Sequence, residues 1–167
     1  MPQINHVVTR LRAVVAQHGS RTATRIREGD AWVTQTYSQF LTKLNRVAQG
    51  LLDLDVDTGG RIGIFLGNRP EWSEIDFGAA TVRAVPVPLY ATSTPEQISH
   101  IASDSGLTVM FVGGQSECER VLSVADELPE LGLDEVLERA ALLVEWPERA
   151  GGHLPADRLT VRLRLLD

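Results

Sequence analysis

Gly59-Gly60-Arg61-Ile62-Gly63-Ile64-Phe65-Leu66-Gly67-Asn68-Arg69-Pro70-Glu71-Trp72 joins a short apolar run to a helix opening, and its reading decides the fold. Ile62 to Leu66 has the continuous apolar texture of a buried strand. Pro70 suits the first position of a helix because its missing N–H would be unpaired there anyway, and Glu71 and Glu74 suit the positive end of the helix dipole. Trp72, Ile75, Ala79 and Val82 then recur at helical spacing, which makes Trp72 a core residue rather than a ligand platform.

The same alternation continues downstream. Val85-Pro86-Val87-Pro88-Leu89 is a second strand, and its two prolines, which cannot donate to a ladder, predict an edge or irregular position. Thr94-Pro95-Glu96-Gln97 has the form of a capping box, opening a helix with Ile98, Ile101 and Ala102 inward until Ser105-Gly106 ends it. Leu107 to Val112 is a third strand. Gly113-Gly114 leads into a helix from about Ser116 that carries Val121, Leu122, Val124 and Ala125 and stops at Pro129. Right-handed crossovers turn such a βαβαβα run into a small parallel sheet covered by helices.

Upstream, two amphipathic helices precede the sheet. Ile4, Val7, Val8, Leu11, Val14 and Val15 predict a helix ending near Gly19, and Trp32-Val33-Thr34 reads as a short strand. Thr36-Tyr37-Ser38-Gln39 is another capping box, opening a helix whose apolar face is Tyr37, Phe40, Leu41, Leu44, Val47, Ala48, Leu51 and Leu52. The fold class is therefore α/β, with residues 1–130 as the α/β part. Residues 131–167 read as a tail: a helix carrying Leu133, Val136, Leu137, Ala140, Ala141 and Val144, a break at Gly151 to Pro155, and an edge strand at Thr160 to Leu165.

Composition narrows the function classes. The 167 residues are 43% hydrophobic, enough for a packed core, and 16 basic against 22 acidic residues give a net charge of -6. Scattered basic residues argue against nucleic acid as a partner. No stretch is apolar enough to span a bilayer, and the N-terminus lacks the pattern of a secretory signal. The single cysteine, Cys118, cannot form an internal disulfide, which points to a reducing, cytoplasmic setting.

Chemistry-bearing motifs are sparse. Gly67-Asn68-Arg69-Pro70 lies where doubly wound folds bind phosphate, yet neither G-x-G-x-x-G nor G-x-x-x-x-G-K-[ST] occurs, and Pro70 removes a donor. A structural turn with Asn68 left-handed or capping is expected instead. His6, His18, His100 and His153 form no metal or triad pattern and read as surface or capping residues. Glu117 and Glu119 flank Cys118 and should raise its thiol pKa. Tyr90 follows the C-terminal end of a strand, where parallel α/β folds place ligands, but a structural role outweighs ligand contact. No catalytic, cofactor-binding or metal-ligating residue is assigned.

Thr36-Tyr37, Gly59 to Ile64, Asn68 to Trp72, Val85 to Ile98 and Asp104-Ser105-Gly106, in this order and spacing, resemble consecutive blocks of the N-terminal domain of adenylate-forming long-chain fatty-acid–CoA ligases, over roughly residues 4–127. Gly60 and Val82-Arg83 depart from the family pattern, and Arg83 near a strand start is expected to loosen packing. The resemblance implies a full-length reaction in which ATP, with Mg2+, activates a fatty acid to an acyl-adenylate and coenzyme A displaces AMP. It also implies a Ser/Thr/Gly-rich phosphate loop ending in Pro-Lys-Gly and a catalytic lysine, neither of which this sequence contains. The expectation is a truncated ligase-like chain whose run from Arg162 to Asp167 reads as orphaned sequence, inactive alone and binding no cofactor by itself. The alternatives are one chain of a split ligase, partnered by a separately encoded remainder or a second protomer, and a non-catalytic binding or interaction module.

Overall fold

The computed structural model describes residues 6–127 and 141–144, the side chains of 125–127 and 141–144 excepted. Helix α1, Val7–His18, is capped by the His6 imidazole, which accepts from the Val8 N–H at 3.3 Å. Its inward stripe is narrower than the sequence suggested: Val8 is buried and Leu11 and Val15 half-buried, while Val7 and Val14 face outward. Two antiparallel strands follow, β1, Thr22–Glu28, and β2, Ala31–Thr36. Strand β2 was anticipated from Trp32 to Thr34. Strand β1 was not, because Arg25 and Arg27 at alternate positions give it little apolar signal.

Helix α2, Tyr37–Asp53, opens on the capping box read from the sequence: the Thr36 hydroxyl accepts from Gln39 N–H at 3.2 Å and the Gln39 side chain accepts from Thr36 N–H at 2.8 Å. Phe40, Leu44, Ala48 and Leu51 are buried along it. Leu52, expected on that face, is 53% exposed because the buried stripe has rotated past it by the last turn.

The parallel sheet is built from β3, Arg61–Phe65, β4, Val85–Leu89, β5, Val109–Val112, and β6, Ala141–Val144, in spatial order β4-β3-β5-β6. The two prolines of β4 do sit on an edge. Strand β6 corrects the reading of Ala141 and Val144 as helical; their register is parallel, Val109 to Ala141 through Val112 to Val144. A short apolar run is ambiguous between helix and buried strand, and pairing to β5 decides it here. The rest of that helix, the break at Gly151 to Pro155, the strand at Thr160 to Leu165, and Ile4, Pro129 and His153 lie outside the described residues.

Helices α3, Pro70–Val82, α4, Pro95–Ser105, and α5, Gln115–Glu127, connect the strands. The chain steps one way from β3 to β4 and the other way from β4 to β5, so right-handed crossovers put α3 on one face and α4 and α5 on the opposite face. Two cores result. On one face Ile62 and Ile64 of β3 pack with Leu51 of α2 and Ile75 and Ala79 of α3, and Trp72 packs against this cluster as expected. On the other, Phe65, Met110 and Val112 pack with Leu89, Ile98 and Cys118. Each fully buried Ile or Leu in these layers contributes about 1.5–3 kcal/mol of hydrophobic stabilisation.

Arg83 does not loosen the packing. It is exposed, in the left-handed conformation (φ 63°), and its N–H caps the end of α3 through Ala79 and Ala80 carbonyls. Its carbonyl accepts from Gly59 N–H at 2.8 Å.

Candidate functional site

Because the chain reverses direction across the sheet after β4, the loops leaving β3 and β5 part to opposite faces, and the switch point lies between their carboxyl ends. Open α/β sheets bind ligands there. In this chain the place is filled. Leu66, buried, approaches Gly113 so closely that a Cβ on Gly113 would collide with the Leu66 side chain. Gly113 N–H also donates to the Phe65 carbonyl at 3.0 Å.

Arg69 spans the switch point. Its Nη1 donates to the Gly113 carbonyl at 3.2 Å, and its Nε and Nη2 reach the Glu71 carboxylate at 3.1 and 3.3 Å. Arg69, not Asn68, occupies the cap position of α3, extended (φ -139°, ψ 159°) and without a side-chain cap hydrogen bond. Asn68 is neither left-handed nor capping, which corrects the sequence reading. Proline at position 70 excludes the helical conformation from the residue before it, so the cap falls on Arg69. With Pro70 lacking an N–H and the Glu71 carboxylate in the first turn, these residues do not fit a nucleotide phosphate.

The carboxyl end of β4 is built differently. Tyr90 is 84% exposed, so it does not pack, contrary to the structural role expected for it. The loop behind it is held firmly: Ser93 is buried, donates its N–H to the Tyr90 carbonyl at 2.8 Å, and offers its own carbonyl to Arg120 Nη1 at 2.9 Å. Arg120 lies over the Phe65 ring, 4.9 Å from its centroid, with the Glu117 carboxylate 3.6 Å away. Thr94 and Gln97 form the expected capping box on α4.

Cys118 is buried against the second core. Burial first, and the Glu119 charge second, push its thiol above the ordinary value. The direction matches the sequence reading; the main cause is burial rather than the flanking carboxylates. His6 caps α1, and His18 and His100 are exposed. Among the described residues no cluster of His, Cys, Asp or Glu could hold a metal ion, and no helix is long and apolar enough to cross a membrane.

Two polar arrangements escaped sequence reasoning. One is Arg120 with Phe65 and Ser93. The other is a buried relay in which Thr24 Oγ1 donates to Gln35 Oε1 at 2.9 Å, Gln35 Nε2 donates to Glu74 Oε1 at 2.7 Å, and Lys43 Nζ lies 3.2 Å from the same oxygen. Glu74 faces inward to this relay, beyond its reading as a dipole partner. The available signal was a polar residue, Gln35 or Glu74, interrupting an otherwise apolar surface.

The family model for AMP-binding enzymes matches residues 11–161. The chain belongs to the AMP-binding enzyme family. It is 33% identical over 138 residues to the long-chain-fatty-acid–CoA ligase FadD15 of Mycobacterium bovis, covering 81% of this chain and 23% of that protein. It is 27% identical over 152 residues to the long-chain-fatty-acid–CoA ligase ACSBG2 of Xenopus laevis, covering 87% of this chain and 21% of that protein. The chain thus spans less than a quarter of the length of these curated relatives.

Solved structures agree on the fold. The N-terminal domain of FACL13 from Mycobacterium tuberculosis superposes with a TM-score of 0.69 at 23% identity, over 96% of this chain and 39% of that one. The anthranilate CoA ligase AuaEII superposes with a TM-score of 0.71 at 20% identity, over 90% of this chain and 27% of that one. The sheet and crossover helices described above are therefore those of an AMP-binding N-terminal domain.

Proposed function

We propose that this chain supplies N-terminal scaffold of a long-chain fatty-acid–CoA ligase and is inactive alone. The observation that carries the reading is the 33% identity to a long-chain-fatty-acid–CoA ligase across 81% of the chain. The full-length reaction is ATP-dependent activation of a fatty acid through an acyl-adenylate to acyl-CoA, with Mg2+ and coenzyme A supplied to other parts of the ligase. Within this chain the β3–α3 turn holds its arginine against Glu71 and the Gly113 carbonyl, and the residues there do not fit ATP. What its residues do is hold the sheet and fix the loops at the strand carboxyl ends.

Residues 1–130 form most of the α/β part in this reading, and the 131–167 tail adds β6 to its sheet. The partner is a separately encoded remainder of the ligase or a second protomer, and the lone Cys118 favours a cytoplasmic setting. The test is pyrophosphate–ATP exchange with palmitate and Mg2+. The purified chain is expected to support none, and exchange above the protein-free rate would refute inactivity. Co-purification with a chain carrying a phosphate loop would identify the partner.

A further inference from the structure

Thr22 to Thr36 form a hairpin with one buried side chain, and that side chain is polar: Gln35. Ala23, Thr24, Ile26 and Thr36 are half-buried, while Trp32 and Val33 are exposed. The hairpin lies against α2 and α3, which are themselves anchored by apolar layers through Phe40, Leu44 and Leu51 and through Ile75 and Ala79. An isolated two-stranded hairpin is marginally stable in water, so the order of this one rests on what it docks against.

The docking contact is the Glu74 relay. The register shifts between Thr22 and Thr24, and this extra residue on β1 brings Thr24 opposite Gln35, where its hydroxyl braces the amide oxygen. The amide nitrogen then reaches out of the hairpin to Glu74 of α3, which Lys43 of α2 approaches from the other side. While the hairpin is docked, the buried carboxylate depends on these donors. Once the hairpin lifts, water reaches both the carboxylate and the amide and takes the place of each partner. Water has no such substitute for the apolar layers under β3. At the base, Tyr37 N–H donates to the Arg21 carbonyl at 3.0 Å and Ser38 N–H to the Gly19 carbonyl at 2.9 Å, tying both ends of the hairpin to the start of α2.

We propose that the β1–β2 hairpin is a strap latched by Glu74, which opens as a unit about this base while α2, α3 and the parallel sheet stay folded. Opening frees the Gln35 amide and bares the Glu74 carboxylate between α2 and α3.

The test is native-state amide hydrogen exchange of the full 167-residue chain in low concentrations of urea, read residue by residue. The amides of β1 and β2 are expected to be at least about tenfold less protected than those of β3 and to respond weakly to urea, because undocking exposes little apolar surface. Two variants separate the strap from the core. Ile64→Val thins the β3 layer and should speed the β3 amides about two- to tenfold while leaving the hairpin amides unchanged. Gln35→Ala removes the latch and should speed the hairpin amides on the order of tenfold, with Thr24→Val, which removes only the brace, as the milder variant if Gln35→Ala does not fold. Hairpin amides as protected as those of β3, or an equal response of both sets to Ile64→Val, would show one cooperative unit and overturn the proposal. Hairpin exchange unmoved by the latch variants would remove Glu74 as the latch and overturn it equally.

Discussion

Gly78 of α3 lies directly against Val47 of α2: a Cβ on Gly78 would stand 2.6 Å from Val47 Cγ1 and 3.0 Å from the Leu44 carbonyl oxygen. The two helices approach this closely because one of them has no side chain at the contact, and Phe40 and Phe77 meet edge-on, 5.7 Å between centroids, in the same interface. Alanine at 78 would gain about 1 kcal/mol in helix propensity. Overpacking typically costs about 1–3 kcal/mol, and the backbone oxygen of Leu44 cannot rotate away as a side chain can. Gly78→Ala is therefore expected to lower the urea midpoint, and adding Val47→Ala should restore part of the loss. A single variant as stable as the parent would show that the helices separate without cost.

The buried relay predicts an ordering of variants at Glu74. Glu74→Ala leaves the buried Gln35 amide without its acceptor, at a cost of about 1–3 kcal/mol, while the half-exposed Lys43 ammonium can turn to water. Glu74→Gln keeps an oxygen for one of them and should lose less. Denaturant titration of the two variants checks the ordering, and equal losses would show that the negative charge, which both variants remove, is what the relay needs rather than an acceptor oxygen.

How much of this was legible depends on which interactions were local. The capping boxes at Thr36 and Thr94 were readable because both partners lie within three residues, and Ile62 to Leu66 because a buried parallel strand is apolar throughout. The β4 edge position followed from Pro86 and Pro88 alone. Contacts such as Arg120 to Ser93 or Gln35 to Glu74 join residues 27 and 39 apart, and no local pattern announces them. Strand β1 was missed because it pairs in a hairpin whose outward face is arginine. Ala141 to Val144 was misread because four apolar residues suit either periodicity. At the candidate site, Asn68 and Tyr90 were given roles that the proline at 70 and the exposure of Tyr90 do not allow.

Cys118 carries a pH dependence of fixed sign. Burial holds its thiol above the ordinary value, so on the alkaline side of that value the unfolded chain ionises while the folded chain stays protonated. The stability contribution is full below the unfolded thiol pKa and is lost as pH rises through the folded one. Cys118→Ser removes this slope, so the parent should lose more stability than the variant between neutral and alkaline pH. Disulfide-exchange reagents should label Cys118 only on unfolding, and rapid labelling of the native chain at neutral pH would contradict the burial argument.

Arg83 sits at a left-handed position that costs a β-carbon-bearing residue roughly 1–2 kcal/mol. Its side chain is exposed, so replacing it removes no buried contact. Arg83→Gly is expected to stabilise the chain by about 1 kcal/mol, reduced by the greater freedom of glycine when unfolded. A higher thermal midpoint checks it, whereas a lower one would mean that the guanidinium makes a contact worth more than the strain.

Arg120 of α5 makes four distinct side-chain interactions, with Ser93 in the loop after β4, with Phe65 of β3 and with Ser116 and Glu117 of its own helix, and they answer differently to substitution. Arg120→Lys keeps the charge near Glu117 but cannot present the planar fork that reaches the Ser93 carbonyl while lying over Phe65. A charge-assisted hydrogen bond contributes about 1.5–3 kcal/mol and a partly buried cation–π contact about 0.5–2 kcal/mol. Arg120→Ala should therefore destabilise by about 2–3 kcal/mol, and Arg120→Lys by a large part of that. The local readout is amide exchange: Ser93 N–H, donated to the Tyr90 carbonyl, should lose protection in both variants before the β3 amides do. If protection at Ser93 survives while global stability falls, Arg120 acts on the core through Phe65 alone and the loop is held by its own turn.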